Sequence, residues 1–354
     1  MNRKEIQQKL ELLDEKLVRL FNQRGRLAEK LERLQSRKST SADKLTRDEK
    51  LLRKITRLNA GPLKPAALRA IYREILSASR DLSGPVRVVY LGPEATFTHA
   101  AARKKFGSTT ELIPAESIDG VFREIENEMA DYGVVPIENS LEGAVTYTLD
   151  MFIDSPLKIC SEIFLRISHS LLSNSPISRI KNVYSHPQVF GQCRRFIQQN
   201  LSHVSLREVS STAQAAKLAA GEEGSAALAG YLAASVYGLK IIRRDIEDNA
   251  SNMTRFLVIG RYLPPPTGRD RTSILFSLPH RSGTLHDALS AFKARGINLT
   301  KIESRPSRKQ PWEYYFFVDL DGHCRSKKVK TALEELEKTC RFMKILGSYP
   351  MGKI

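Results

Sequence analysis

The sequence predicts a multidomain chain of three classes in order: an all-α segment over residues 1–83, an α/β segment over 84–263 and an α+β unit of ferredoxin-like order over 264–354. Three observations carry this reading. Apolar residues near the start recur at alternating spacings of four and three, the seam of a long helix. Short β-branched runs then alternate with helical stretches, and the C-terminal stretch reads βαββαβ.

The first helix carries Ile6, Leu10, Leu13, Leu17, Leu20, Arg24, Leu27, Leu31 and Leu34 in one seam, too long to bury itself. "SRKSTSAD" supplies turn and cap residues before "KLTRDEKLLRKITRL", and "AGPLKPAAL" breaks that from "RAIYREILSASRDL". Three helices follow, and an intertwined dimer is the natural way to cover the seam. In the middle, "VRVVYLG", "DYGVVPIEN", "IKNVYSH" and "TRFLVIG" alternate with "SIDGVFREIENEMA", "QVFGQCRRFIQQNL" and "TAQAAKLAAG", the rhythm of parallel sheets covered by helices. The segment has room for one large or two small lobes. "YLPPPTGRDR" behaves as a stiff linker to the terminal unit.

The formal net charge is +17, unevenly placed: residues 1–83 carry 21 Lys/Arg against 11 Asp/Glu, and 267–354 carry 17 against 9. Basic helices without interleaved aromatics point to solvated faces, or to a field for small anions, rather than to nucleic-acid readers. Neither a signal peptide nor a membrane span is visible, so a cytoplasmic protein with no membrane partner is expected. Cys160, Cys193, Cys324 and Cys340 lie far apart, as reduced thiols do. No cofactor signature and no metal-spaced cluster occurs, so chemistry without metal or cofactor is expected, from polar groups at strand ends.

Three stretches fit. "VVPIENSLEGAV" runs from a strand into Glu138, Asn139 and Ser140; "VYSHPQVFGQC" runs into Ser185 and a helix bearing Gln192; "NASNMTRFLVIG" leads a polar loop into a strand. A period of two puts Asn252 and Thr254 on one face of that strand and Arg255 on the other. A threonine hydroxyl is a weak base but a good donor to a departing hydroxyl in a preorganised site. Arg255 is either a carboxylate clamp or a structural ion pair.

"GPEATFTHAA", "VVPIENSLEGAV", "YSHPQVFGQC", "AALAGYLAASVYGL" and "NASNMTRF" resemble, in order, the prephenate dehydratase family. The resemblance implies a two-lobed, periplasmic-binding-protein-like catalytic domain that turns prephenate into phenylpyruvate. Thr254 would be catalytic, with Thr96, Glu138, Asn139, Ser140, Ser185, Gln192, Asn252 and Arg255 on the substrate. Ala95 replaces the family's usual glycine, which costs something if that turn needs a positive φ. The terminal unit is similar to an ACT regulatory domain: Gly283, Thr284 and Leu285, with Glu303, Ser304, Arg305 and Pro306, match its effector motifs and imply phenylalanine as allosteric effector. Two self-pairing ends imply a homo-oligomer, a dimer or a dimer of dimers.

The helical segment resembles the chorismate mutase domain fused to such dehydratases. Arg24 falls on the family's arginine for a substrate carboxylate and Arg47 and Ser79 on further family positions, with Asp48 in place of a glutamate, whereas Gln7, Gln35, Lys44 and Ser83 replace groups the resemblance implies the reaction uses. The expectation is therefore a helical dimerisation domain with little mutase activity. A fully bifunctional enzyme, an arogenate dehydratase and a non-catalytic aromatic metabolite sensor stand as alternatives.

Overall fold

A computed structural model describes residues 2–35, 41–82, 84–307 and 313–352. Helices α1 (Arg3–Gln35), α2 (Ser41–Leu58) and α3 (Pro65–Asp81) form the first segment. Pro65 opens α3 where its missing N–H has no partner to lose. The seam of α1 is bare: Ile6, Leu10, Leu13, Leu17, Leu20, Leu27, Leu31 and Leu34 are 42% to 76% exposed. By contrast α2 is docked, with Leu45 buried in the same cluster as Val88, Tyr90 and Phe256 of the central segment.

The central segment runs β1 (Arg87–Leu91), α4 (Phe97–Phe106), β2 (Glu111–Ala115), α5 (Ile118–Glu126), β3 (Tyr132–Asn139), β4 (Gly143–Ala144), α6 (Thr146–Asp154) and β5 (Lys158–Arg166). It continues through β6 (Ser170–Ser173), β7 (Asn182–Ser185), α7 (Pro187–Gln192), α8 (Arg194–Asn200), β8 (Ser205–Glu208), α9 (Thr212–Gly221), β9 (Ser225–Ala229), α10 (Tyr231–Tyr237), β10 (Lys240–Arg243) and β11 (Met253–Gly260). Two lobes result. One sheet contains β5–β11–β3–β1–β2, and the other has the order β10–β6–β9–β7–β8.

The expected parallel sheets are mixed. β1 pairs with β2 and β3 in parallel, but β11 lies antiparallel between β3 and β5. The reason is topological: the chain leaves the first lobe at the end of β5 and returns on β11, so these neighbours run in opposite directions. The two crossing segments are tied together. Ile167 N donates to Asn252 O (2.9 Å), Ser168 Oγ to Asp245 Oδ1 (2.7 Å) and His169 N to Glu247 Oε2 (2.9 Å).

The terminal unit has the expected order: β12 (Asp270–Ser277), α11 (Thr284–Lys293), β13 (Leu299–Pro306), β14 (Tyr314–Asp321), α12 (Lys327–Thr339) and β15 (Phe342–Pro350). Its strands follow the sequence β13–β14–β12–β15, and β15 then pairs in parallel with β5 through Gly347 and Ile159. A Cβ on Gly347 would lie 2.5 Å from the Ile159 carbonyl oxygen, so glycine permits the approach. The proline-rich joint thus does not hold the unit apart; His323 Nε2 even hydrogen-bonds the Pro264 carbonyl at 3.0 Å. No described helix is long and apolar enough to cross a membrane. All four cysteines are free thiols, and burial pushes Cys160 and Cys193 up to about 12.

Candidate active site

Polar groups at strand ends of the two lobes meet across the candidate cleft, where Glu142 reaches Gln188 and Gln192. β11 enters it with Asn252 and Thr254, 3% and 8% exposed, and β3 brings Asn139 opposite Thr254 in register. The Asn139 carbonyl oxygen accepts from Leu141 N (2.9 Å) and Glu142 N (3.2 Å). That fixes the amide, whose Nδ2 donates to Asn252 Oδ1 (2.9 Å) and Thr254 Oγ1 (2.8 Å). Thr254 is therefore an acceptor towards Asn139, and its own proton is left for a third group. Ser140 closes the turn from the other side: its Oγ accepts from Met253 N (2.9 Å), and its N–H donates to Met253 O (2.8 Å).

Gln192 comes from the opposite lobe. Its Oε1 accepts from His169 Nε2 at 3.1 Å, and its Nε2 lies 3.4 Å from Glu142 Oε1. Glu142 also accepts from Gln188 Nε2, so one carboxylate on the β3–β4 turn bridges to two amides across the cleft. Phe97 meets His169 edge-on, ring centroids 5.5 Å apart. Sequence reasoning missed Glu142, Gln188 and His169. Glu142 lies in "VVPIENSLEGAV", two positions after Ser140, and Gln188 in "VYSHPQVFGQC", three after Ser185. His169 lies in no motif, and only the fold brings it to Gln192.

Thr96 and Ser185 stand at the carboxyl ends of β1 and β7, but their hydroxyl protons are committed. Thr96 Oγ1 donates to Leu91 O (3.2 Å) and caps α4 by accepting from His99 N (3.3 Å). Ser185, fully buried, donates to Leu228 O at 2.8 Å. Ala95 does adopt a positive φ of 66°, at a cost of roughly 1–2 kcal/mol for a residue with a Cβ. Its N–H donates to His99 Nδ1 at 3.0 Å.

Two expected substrate contacts are corrected by strand alternation. Arg255 faces away from Thr254, donating from Nε to Glu162 (2.8 Å), from Nη1 to Asp319 (2.5 Å) and from Nη2 to Tyr349 Oη (2.9 Å). Asp319 and Tyr349 belong to the terminal unit. Glu138, in register with Arg255, shares that face and pairs with Lys301 at 3.1 Å. Neither side chain joins the Asn139–Thr254 network.

The expected effector residues lie on two elements. Gly283, with φ 84°, precedes α11; Thr284 Oγ1 donates to the Arg281 carbonyl (3.1 Å), and Leu285 packs on the core of the unit. Glu303, Ser304, Arg305 and Pro306 occupy β13, the outermost strand. Arg305 is engaged already, in a two-point bond to Asp150 of α6 (3.2 and 3.0 Å). In the helical segment Arg24 Nη1 donates to Ser79 Oγ (2.6 Å). Glu32 holds both Arg47 and Lys44, and Asp48 pairs with Arg80. Gln7 bonds Glu11 on its own helix, while Ser83 and the Gln35 side chain lie outside the described residues.

Three histidines are held neutral. Desolvation by burial lowers His169, His99 and His323 below the usual imidazole range, and His99 and His323 accept backbone N–H bonds at Nδ1. The unfolded chain protonates them near a pKa of about 6.5, so their contribution is intact above that pH and is lost as pH falls through the lowered folded values. Thermal melts between pH 8 and 5 should show Tm falling once pH drops below about 6.5. A Tm flat down to pH 5 would count against this.

Comparison with known proteins bears on the whole chain. Family patterns match in order: chorismate mutase type II over residues 6–84, prephenate dehydratase over 88–263 and ACT domain over 272–338. A bifunctional chorismate mutase/prephenate dehydratase of Aquifex aeolicus is 46% identical over 352 residues, covering 98% of this chain and 97% of its own. An arogenate dehydratase/prephenate dehydratase of Arabidopsis thaliana is 38% identical, covering 81% of this chain and 77% of its own. Among solved structures, the prephenate dehydratase of Arthrobacter aurescens in complex with L-Phe is 34% identical. It covers 75% of this chain and 90% of its own, with a TM-score of 0.69.

Proposed function

The chain belongs to the prephenate dehydratase family, in the form that also carries a type II chorismate mutase domain and an ACT domain, and on that premise we propose how its cleft works. Prephenate binds between the lobes and is converted to phenylpyruvate. The electron pair of the breaking carboxylate–ring bond enters the ring, CO2 departs and the ring hydroxyl is expelled. Thr254 donates its proton to that hydroxyl as it leaves, so that water forms, and a proton from solvent restores the threonine hydroxyl. The observation carrying this reading is the doubly anchored Asn139 amide, which makes Thr254 Oγ1 an acceptor on one side and a donor on the other. Asn252, Ser140 and Gln192 supply the remaining polar contacts. Ser185 and Thr96 shape the strand ends that face the substrate.

We take the units as 1–83, 84–263 and 264–354. The terminal unit is proposed to bind phenylalanine between paired copies, near Gly283–Leu285 and Glu303–Pro306. Arg305 then links the effector strand to α6 through Asp150, and Arg255 links the unit to the strand that carries Thr254. Effector binding is thereby able to bias the cleft, provided its affinity differs between two arrangements.

The bare seam of α1 supports a homodimer built on the helical unit. Replacing Leu13 and Leu17 together by aspartate is expected to weaken self-association in sedimentation velocity by about tenfold or more, with helix content retained by circular dichroism, since only the terminal units would still pair. An unchanged dissociation constant removes the seam from the interface.

The expectation of a silent helical unit finds no support among relatives named bifunctional over nearly their whole length. Those names favour a second activity, chorismate to prephenate, and chorismate consumption by the full chain tests it. For the cleft, initial rates of phenylpyruvate formation from prephenate and of phenylalanine formation from arogenate are measured in parallel. Faster turnover of prephenate is expected. Preference for arogenate transfers the assignment to that substrate, and turnover of neither leaves the sensor reading.

A further inference from the structure

A cavity of about 300 Å3 lies at the junction of α2, α3, α4 and β5, with Pro350, Met351 and Gly352 also in its lining. None of Asn139, Ser140, Gln192, Asn252 and Thr254 lines it, and of the helical positions Arg24, Arg47, Asp48 and Ser79 only Asp48 does. Its volume falls at the lower end of the range for small-molecule sites.

The lining is electrically unbalanced. Asp48 is held by Arg80, Glu49 by Arg69 (3.2 Å) and Arg53 (3.4 Å), and Glu162 by Arg255 (2.8 Å) and Arg271 (2.6 Å). Each wall carboxylate is already paired. Arg73 and Lys105 enter no ion pair or hydrogen bond among the described residues, and Lys104 donates only to the Phe164 carbonyl, at 2.7 Å. Arg69 Nη1 and Arg80 Nε are buried with no partner. Partial burial, with a neighbouring arginine adding to it, lowers both Arg73 and Lys105 from their ordinary values. Arg73 and Lys105 are half-buried, and the wall carboxylates that act on them, Asp48 and Glu49, are engaged by other arginines, which leaves room for an added anion. Beside them Leu52, Leu76 and Phe164 provide an apolar wall.

We propose that this junction cavity binds a small carboxylate with an apolar body, the carboxylate meeting Arg73 and Lys105 and the body lying against Leu52, Leu76 and Phe164. A guanidinium fork suits a carboxylate, and the apolar wall disfavours a bare inorganic anion. Such a ligand ties the helical unit to the dehydratase lobe, because Arg73 belongs to α3 and Lys105 to α4. Binding here is independent of what the cleft does.

The test is calorimetric titration of the full chain with benzoate, and separately with inorganic phosphate. Saturable benzoate binding is expected, weakened about tenfold or more in Arg73→Gln and in Lys105→Gln. In Thr254→Val it should stay within about twofold, since that residue is not in the cavity. Arg73→Lys, which keeps the charge, should bind more tightly than Arg73→Gln and guards against a folding defect. Absence of saturable benzoate binding overturns the proposal, as does binding indifferent to both glutamine variants. Phosphate binding as tight as benzoate overturns the apolar body.

Discussion

Replacing Thr254 by valine is expected to lower the turnover of prephenate by about 10²–10³-fold, with KM changed by less than about threefold. Valine keeps the β-branched shape that suits a buried strand position and removes only the hydroxyl. Asn139 Nδ2 loses one acceptor but retains Asn252 Oδ1, and the Asn139 carbonyl oxygen keeps both of its backbone donors. The site should therefore stand, lacking a proton donor. An interaction that grows as the hydroxyl departs stabilises the transition state more than the bound substrate, so the loss belongs in kcat. Phenylpyruvate release, followed by absorbance in alkali, gives both constants. A raised KM with unchanged kcat would make Thr254 a binding group only.

Replacing Arg255 by methionine is expected to cost about 3–5 kcal/mol of stability, the usual loss when one partner of a buried ion pair is removed. Methionine fills the space without supplying a donor. Glu162, whose side chain is entirely buried, keeps only Arg271 among its ionic partners; Asp319 keeps Ser273 Oγ at 2.5 Å; Tyr349 keeps Ser273. The three acceptors come from two units, so the loss falls on their junction as well as on the core. Urea denaturation followed by fluorescence measures it. A loss under about 1 kcal/mol would mean that water or neighbouring groups satisfy the acceptors. Phenylalanine inhibition of the same variant is expected to weaken, because the guanidinium joins the effector unit to the strand of Thr254.

Much of this site was legible because strand alternation is local. The period of two placed Asn252 and Thr254 together and Arg255 opposite, as found. The same rule, applied to "IENS", would have put Glu138 on the face away from Asn139; grouping by motif hid this. Direction and pairing are not local properties. Alternation is identical in parallel and antiparallel strands, so the return of the chain on β11 left no mark in the sequence. Arg255 and Asp319 are separated by most of the terminal unit, and the Glu142 bridge needs the second lobe in place. The helical seam was the reverse case: its period was plain, and no described part of the chain covers it.

The Gly347–Ile159 contact bears on how the protein can be divided. With β15 in place, β5 is an interior strand; a chain ending at the proline-rich joint would leave its unpaired amides and carbonyls open to strand addition by another molecule. Loss of the terminal unit would thus lay open a sheet edge at β5 that β15 covers in the whole chain. Exchange of that unit between relatives would demand a residue without a side chain at this one place.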